Sequence, residues 1–98
     1  MLTELQIPPG ISSDKNACEL VRAWAAHGGL QCSLNISAWK DDQAQIRWGI
    51  LLSDIARHVA DALYQSTHAD RQQTLSKIRA VFDSELNDPT AETQGKFI

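Results

Sequence analysis

The sequence predicts an α+β domain, an N-terminal antiparallel β-hairpin, extendable to three strands, packed on a two-helix hairpin. Three observations carry that expectation. Leu30, Cys32, Leu34 and Ile36 alternate with Gln31, Ser33 and Asn35, the period of a half-buried strand. His27-Gly28-Gly29 just before them supplies the glycines that a tight hairpin turn demands. From residue 42 the period changes: Trp48, Leu51, Leu52, Ile55, Val59, Ala62 and Leu63 recur at helical spacing.

Residues 1–16 read as an arm and loop. Leu2 to Ile7 has the pattern of a short extended segment, and Pro8-Pro9-Gly10 stops it by fixing the backbone and removing two amide donors. Residues 17–37 form the expected hairpin. Ala17, Leu20, Val21 and Trp24 also fit a helix, with Ser13 or Asp14 as its cap, but the strand at 30–36 needs a hydrogen-bonded neighbour and residues 19–26 are the nearest. A loop at His27-Gly28 or at Gly28-Gly29 places Val21 and Ala23 on one face with Cys32 and Leu34. Cys18 and Cys32 then point to opposite faces, so no disulfide between them is expected.

Residues 42–87 carry the helical hairpin. Asp41 or Asp42 can cap the first helix, Ser66-Thr67 ends it, and Thr67 with Asp70 resembles a capping box. The second helix turns Leu75, Ile78, Phe82 and Leu86 inward and stops near Asn87-Asp88-Pro89. Residues 88–98 remain as a polar tail, expected to drape over the surface or to move freely.

Bulk composition narrows the function classes. The 98 residues carry a net charge of −3, 43% hydrophobic and 21% charged residues, which describes one small globular domain spanning 1–98. Residues 1–40 balance three acids against three bases, and residues 41–98 hold nine acids and six bases. With no basic stripe and no aromatics interleaved with Lys or Arg, a nucleic-acid partner is not expected. The first residues lack a basic stretch followed by an apolar one, and no apolar run approaches a membrane span, so the expected location is the cytoplasm. The two cysteines stand fourteen residues apart outside any CxxC motif, as small apolar side chains of a reducing compartment do. No metal site or cofactor is expected: Walker, GxGxxG, HExxH, EF-hand and G-x-S-x-G patterns are all absent from the sequence.

One polar constellation stands out. Asp54, His58 and Asp61 project from one face of the long helix, with Arg57 beside them. A carboxylate four residues from a histidine can orient the imidazole, raise its pKa and present a nitrogen as acid, base or ligand. The same residues are also ordinary i,i+4 pairs, Asp54 with His58 and Arg57 with Asp61, on a solvated face. His27 in the turn and His68 in the expected first turn of the last helix need no more than local roles. Trp24 and Trp39 in the hairpin region, and Ile46 and Ile50 on the polar side of the long helix, are candidates for an interface. Trp24 lies beside Arg22, where a cation–π contact or an interface anchor is possible chemistry. A two-stranded hairpin leaves both edges unpaired, so either Leu2–Ile7 adds a strand or a second subunit completes the sheet.

Leu5-Gln6-Ile7-Pro8-Pro9-Gly10, the run from Trp48-Gly49 through Asp54 to Ala56-Arg57-His58-Val59-Ala60, and Asn87-Asp88-Pro89-Thr90 resemble a small bacterial family of uncharacterised proteins over nearly the whole chain. The resemblance implies a bacterial cytosolic protein of one domain and transfers no activity, cofactor or partner. The expected function is a non-enzymatic interaction or regulatory module, homodimeric. The alternative is a small-ligand or metal-binding protein that uses Asp54, His58 and Asp61 with groups from a second subunit.

Overall fold

The structure is a computed structural model, and it describes residues 4–98. Leu2 and Thr3 of the expected extended arm lie outside the described residues, and Glu4–Ile7 form no strand. The fold is α+β: a three-stranded mixed sheet and two helices.

Strand β1, Val21–Ala26, pairs antiparallel with β2, Gly29–Leu34, from Val21 opposite Leu34 to Ala26 opposite Gly29. The loop is therefore His27-Gly28. Both residues have positive φ, 53° and 76°, the backbone whose twist matches two right-handed strands. Glycine and histidine tolerate that region where a β-branched residue would not. At the open end the Asn35 N–H donates to the Leu20 carbonyl at 2.9 Å, and its amide nitrogen to the Glu19 carbonyl at 3.1 Å. The strand ends at Leu34; Ile36, expected to continue it, instead begins a turn of 3-10 helix over Ile36–Ala38.

The third strand corrects the sequence reading twice. It does not come from Glu4–Ile7, the described part of the expected arm, and the tail does not drape: Gly95–Phe97 forms β3, parallel to β2, with Cys32 opposite Gly95 and Leu34 opposite Phe97. The sheet order is β1-β2-β3. Strand alternation places Val21, Ala23, Ala25, Leu30, Cys32, Leu34 and Phe97 on one face, all apolar. Arg22, Trp24, Gln31, Ser33 and Lys96 share the other. Cys18 and Cys32 are both free.

Helix α1 spans Ala44–Thr67 and α2 spans Arg71–Asn87. Asp41 prepares the start of α1 without being its cap residue, which is Gln43. Its carboxylate accepts the Gln43 N–H at 3.0 Å, its carbonyl accepts the Ala44 N–H at 3.3 Å, and Arg47 lies 3.3 Å from its second carboxylate oxygen. The capping-box expectation at Thr67 fails by three residues. Thr67 is the last residue of α1 and its hydroxyl donates back to the Leu63 carbonyl, whereas Asp70 itself caps α2 by accepting the Gln73 N–H at 2.9 Å. His68 likewise belongs to the end of α1: at φ 62° it is the left-handed C-cap, its N–H on the Tyr64 carbonyl.

The helices pack on each other and the strands on their neighbours, but neither helix lies across the sheet. The two layers join through Trp39, whose ring meets Trp48 of α1 edge-on at 5.1 Å. As a result the chain is open. Its radius of gyration is 15.3 Å, against about 12.6 Å for a compact chain of this length. Ala60 of α1 is the single fully buried residue among those described.

The stripe read as the core face of α1 stands largely in solvent: Leu52, Ile55, Val59 and Leu63 are each about two-fifths or more exposed, as is Phe82 of α2. Of that stripe Trp48 and Leu51 are half-buried. The periodicity is right and the cover is missing.

Candidate functional site

The polar constellation divides in two. Asp54 and His58 meet, with His58 Nε2 3.5 Å from an Asp54 carboxylate oxygen, one helical turn apart. Both side chains are open to water, at 80% and 56%, so the pair is a solvated helical contact with no enclosed volume around it for a substrate. Asp61 turns elsewhere: Arg71 Nε donates to it at 2.9 Å across the turn between the helices. The expected Arg57–Asp61 pair therefore does not form, and Arg57 makes no ion pair among the described residues. Arg71 reaches its position because only three residues, His68, Ala69 and Asp70, separate α1 from α2, which brings the first turn of α2 beside the last turns of α1. The guanidinium also lies over the Tyr64 ring, 3.9 Å from its centroid, and that ring meets His68 edge-on at 6.3 Å. Asp61, Tyr64, His68 and Arg71 thus make a clasp on the helical turn. Sequence spacing along one helix could not reveal it, since Arg71 comes from the other.

The same competition decides Trp24. Its neighbour Arg22 turns to carboxylates, accepted by both Glu19 oxygens at 2.8 and 2.7 Å and lying 3.7 Å from Glu4. The Glu19 hydrogen bonds, then the charges of Glu19 and Glu4, raise its already high pKa further, so it is a fixed cation. The expected partnership with Trp24 is not made, and Trp24 stands about a third exposed on the polar face of the sheet. Of the interface candidates, Trp39 is occupied by Trp48, while Ile46 and Ile50 are 57% and 62% exposed.

A shallow concavity of about 460 Å³ opens at the end of the sheet, where Leu20, Val21, Leu34 and Phe97 meet Arg22 and Lys96. Sequence reading missed it because Phe97 and Lys96 arrive there only through β3. Among the described residues no group of three or more His, Cys, Asp or Glu is placed to hold a metal ion. No described helix is long and apolar enough to cross a membrane.

A second carboxylate fixes the chain beyond α2. Glu85 accepts from the Thr90 hydroxyl and from the Thr90 N–H, and these two hydrogen bonds hold its pKa below the usual range. The contact turns the chain back after Asp88 and sets it on the way to β3.

The comparisons with known proteins agree with this architecture. No curated protein matches the sequence. A solved structure from the photosynthetic bacterium Rhodopseudomonas palustrus, named a "putative pyruvate dehydrogenase", is similar over 94% of this chain and 91% of its own, at 30% identity and a TM-score of 0.73. Residues 4–90 match the family described as a domain of unknown function, DUF5076. The chain belongs to the DUF5076 family.

Proposed function

We propose that the protein is a homodimeric, non-enzymatic interaction or regulatory module of the bacterial cytoplasm. One observation carries the reading: in a 98-residue chain with ordinary apolar content, a single one of the described residues is fully buried. Its accessible surface is 8956 Å², against about 5,500 Å² for a compact chain of this mass. The excess, roughly 3,400 Å² per chain, is more than the roughly 1,000–2,500 Å² that each subunit of an obligate dimer buries, so a dimer contact can be drawn from it with area to spare. Part of it belongs to the extended arm, where Leu5 and Ile7 are 94% and 75% exposed. The remainder lies on the helices and the sheet, where a subunit contact supplies the core that one chain lacks.

The same open faces support an interaction role over a catalytic one. The one histidine–carboxylate pair on the long helix is solvated, and its expected third member is engaged by Arg71. The bacterial setting is supported by the neighbour from Rhodopseudomonas. That neighbour's name brings a competing reading, turnover of pyruvate, which the purified protein can be asked to perform directly.

Native mass spectrometry against the denatured mass is the test. A dimer without added mass is expected, with a thermal midpoint that rises with protein concentration. A monomer at micromolar concentration overturns the reading. Added mass that vanishes on denaturation favours a ligand-binding protein, and Asp54 and His58 are then the first positions to change.

A further inference from the structure

Two unpartnered apolar surfaces of this chain differ in shape. The sheet face has Ala23 and Ala25 along β1, flanked by the larger Leu30 and Phe97, each 75% exposed. It is shallow on one side and raised on the other. The α1 surface is a ridge of Leu52, Ile55, Val59 and Leu63 at intervals of three and four residues, the spacing of one continuous helical stripe. A sheet with one apolar face is stable when another layer covers it, and a helix stripe needs a surface to enter. Within one chain the two make no extended contact.

We propose that they meet between chains: α1 of one copy lies on the apolar sheet face of the second, and the second returns the same contact. Large helix side chains fill the shallow ground over the alanines. Two such sheets placed face to face, about 10 Å apart, leave that ground empty, because alanine side chains cannot span the gap. Two stripes packed on each other leave both sheets bare. The reciprocal arrangement covers all four surfaces and closes under two-fold symmetry, so no further copies are recruited. The excess accessible surface of the single chain is large enough for a contact made twice.

This inference rests on the dimeric reading and specifies its geometry. Cys32, in the middle of the sheet face, and Val59, on the stripe, provide the test. In a Cys18→Ser background, Val59→Cys is treated with a short bismaleimide, and the linked peptides are sequenced from the covalent dimer. The expected product joins Cys32 of one chain to position 59 of the other. Links between two Cys32 residues, or between two copies of position 59 in a chain that also carries Cys32→Ser, overturn the proposal in favour of like-on-like packing. A 32–59 link inside one chain, running as a monomer, overturns it too. A dimer by native mass with no 32–59 link overturns this geometry alone, whereas a monomer overturns the dimeric reading with it. Should Val59→Cys fail to fold, Ile55→Cys takes its place. In the unmodified protein, Cys32 alkylation is expected to slow as concentration rises while that of Cys18 does not; equal rates at every concentration refute the arrangement.

Discussion

Gly95 is the residue on which the third strand depends, and replacing it with alanine gives a sharply bounded outcome. Its φ is 135°, a conformation that L side chains rarely adopt. A Cβ built there falls 1.7 Å from the Cys32 carbonyl oxygen and under 3 Å from the Cys32 carbonyl carbon and nitrogen. These are backbone atoms, so no rotamer change relieves the overlap. The cheaper response is for β3 to leave the sheet.

The cost of leaving is limited to what docking contributes. Outside the parallel β2–β3 ladder itself, three backbone hydrogen bonds flank the docked segment: the Cys32 N–H to the Gln94 carbonyl at 3.1 Å, the Ile98 N–H to the Leu34 carbonyl at 3.0 Å, and the Ser37 N–H to the Ile98 carbonyl at 2.9 Å. At about 0.5–1.5 kcal/mol net apiece these three amount to about 1.5–4.5 kcal/mol, a lower bound to which the ladder's own bonds add. Phe97 adds little, being 75% exposed in the single chain. Hydrogen exchange reads the result directly. Gly95→Ala is expected to speed exchange at the Cys32, Ser37 and Ile98 amides by on the order of 10- to 1,000-fold, leaving the β1–β2 amides slow. Unchanged exchange at those three positions would mean that β3 is not held by this register, and the argument fails.

Further outcomes follow from the same geometry. Gly49 in α1 has open space where a Cβ would sit, so Gly49→Ala is expected to stabilise the protein by about 1 kcal/mol in urea melts. Arg71→Ala removes both the Asp61 ion pair and the Tyr64 stack; with these side chains about half exposed, the expected loss is about 1 kcal/mol, part of which high salt already removes from the native protein. His58→Ala, which cuts only a solvated helical pair, should change thermal stability by less than about 0.5 kcal/mol. The depressed Glu85 pKa means that the native state holds its carboxylate ionised longer than the unfolded chain does. Its contribution is therefore complete above the ordinary value near 4.5 and lost as pH falls through the lower native one. Amide exchange at Thr90, corrected for its intrinsic pH dependence, should lose protection over that acid window, and Thr90→Val should lessen the pH dependence.

The parts legible in the sequence are those governed by local rules. Alternation from Leu30 to Leu34 and the His27-Gly28-Gly29 run imply the hairpin and leave only two loop positions, and the structure adopts one of them. The α1 period and the stop at Ser66-Thr67 rest on propensity and pattern within one segment. What escaped was set by partners distant in sequence. Gly95-Lys96-Phe97 is too short to show alternation, and its partner β2 lies two helices earlier. Asp61 looked committed to Arg57 because same-helix spacing is visible, whereas Arg71 comes from α2. Cap placement failed at Thr67 because Thr67 and Asp70 both suit an N-cap, and residue preference alone could not rank them. The stripe from Leu52 to Leu63 declared itself apolar, yet a sequence cannot say which chain will cover it.

The late arrival of β3 also bears on how the protein comes to be made. On a ribosome, β1 and β2 emerge together and can close at once through their two-residue loop, and α1 and α2 follow. The outer edge of β2 stays unpaired until both helices have been synthesised, because its neighbour lies beyond them. Closing so long a loop adds an entropic cost that local hairpin formation avoids, so the strand is expected to dock last. Until then a nascent chain carries an open edge beside an apolar face, the combination most prone to pairing with the wrong neighbour. Polysomes that place many copies close together would make that interval the vulnerable one, and slower translation across α2 would lengthen it.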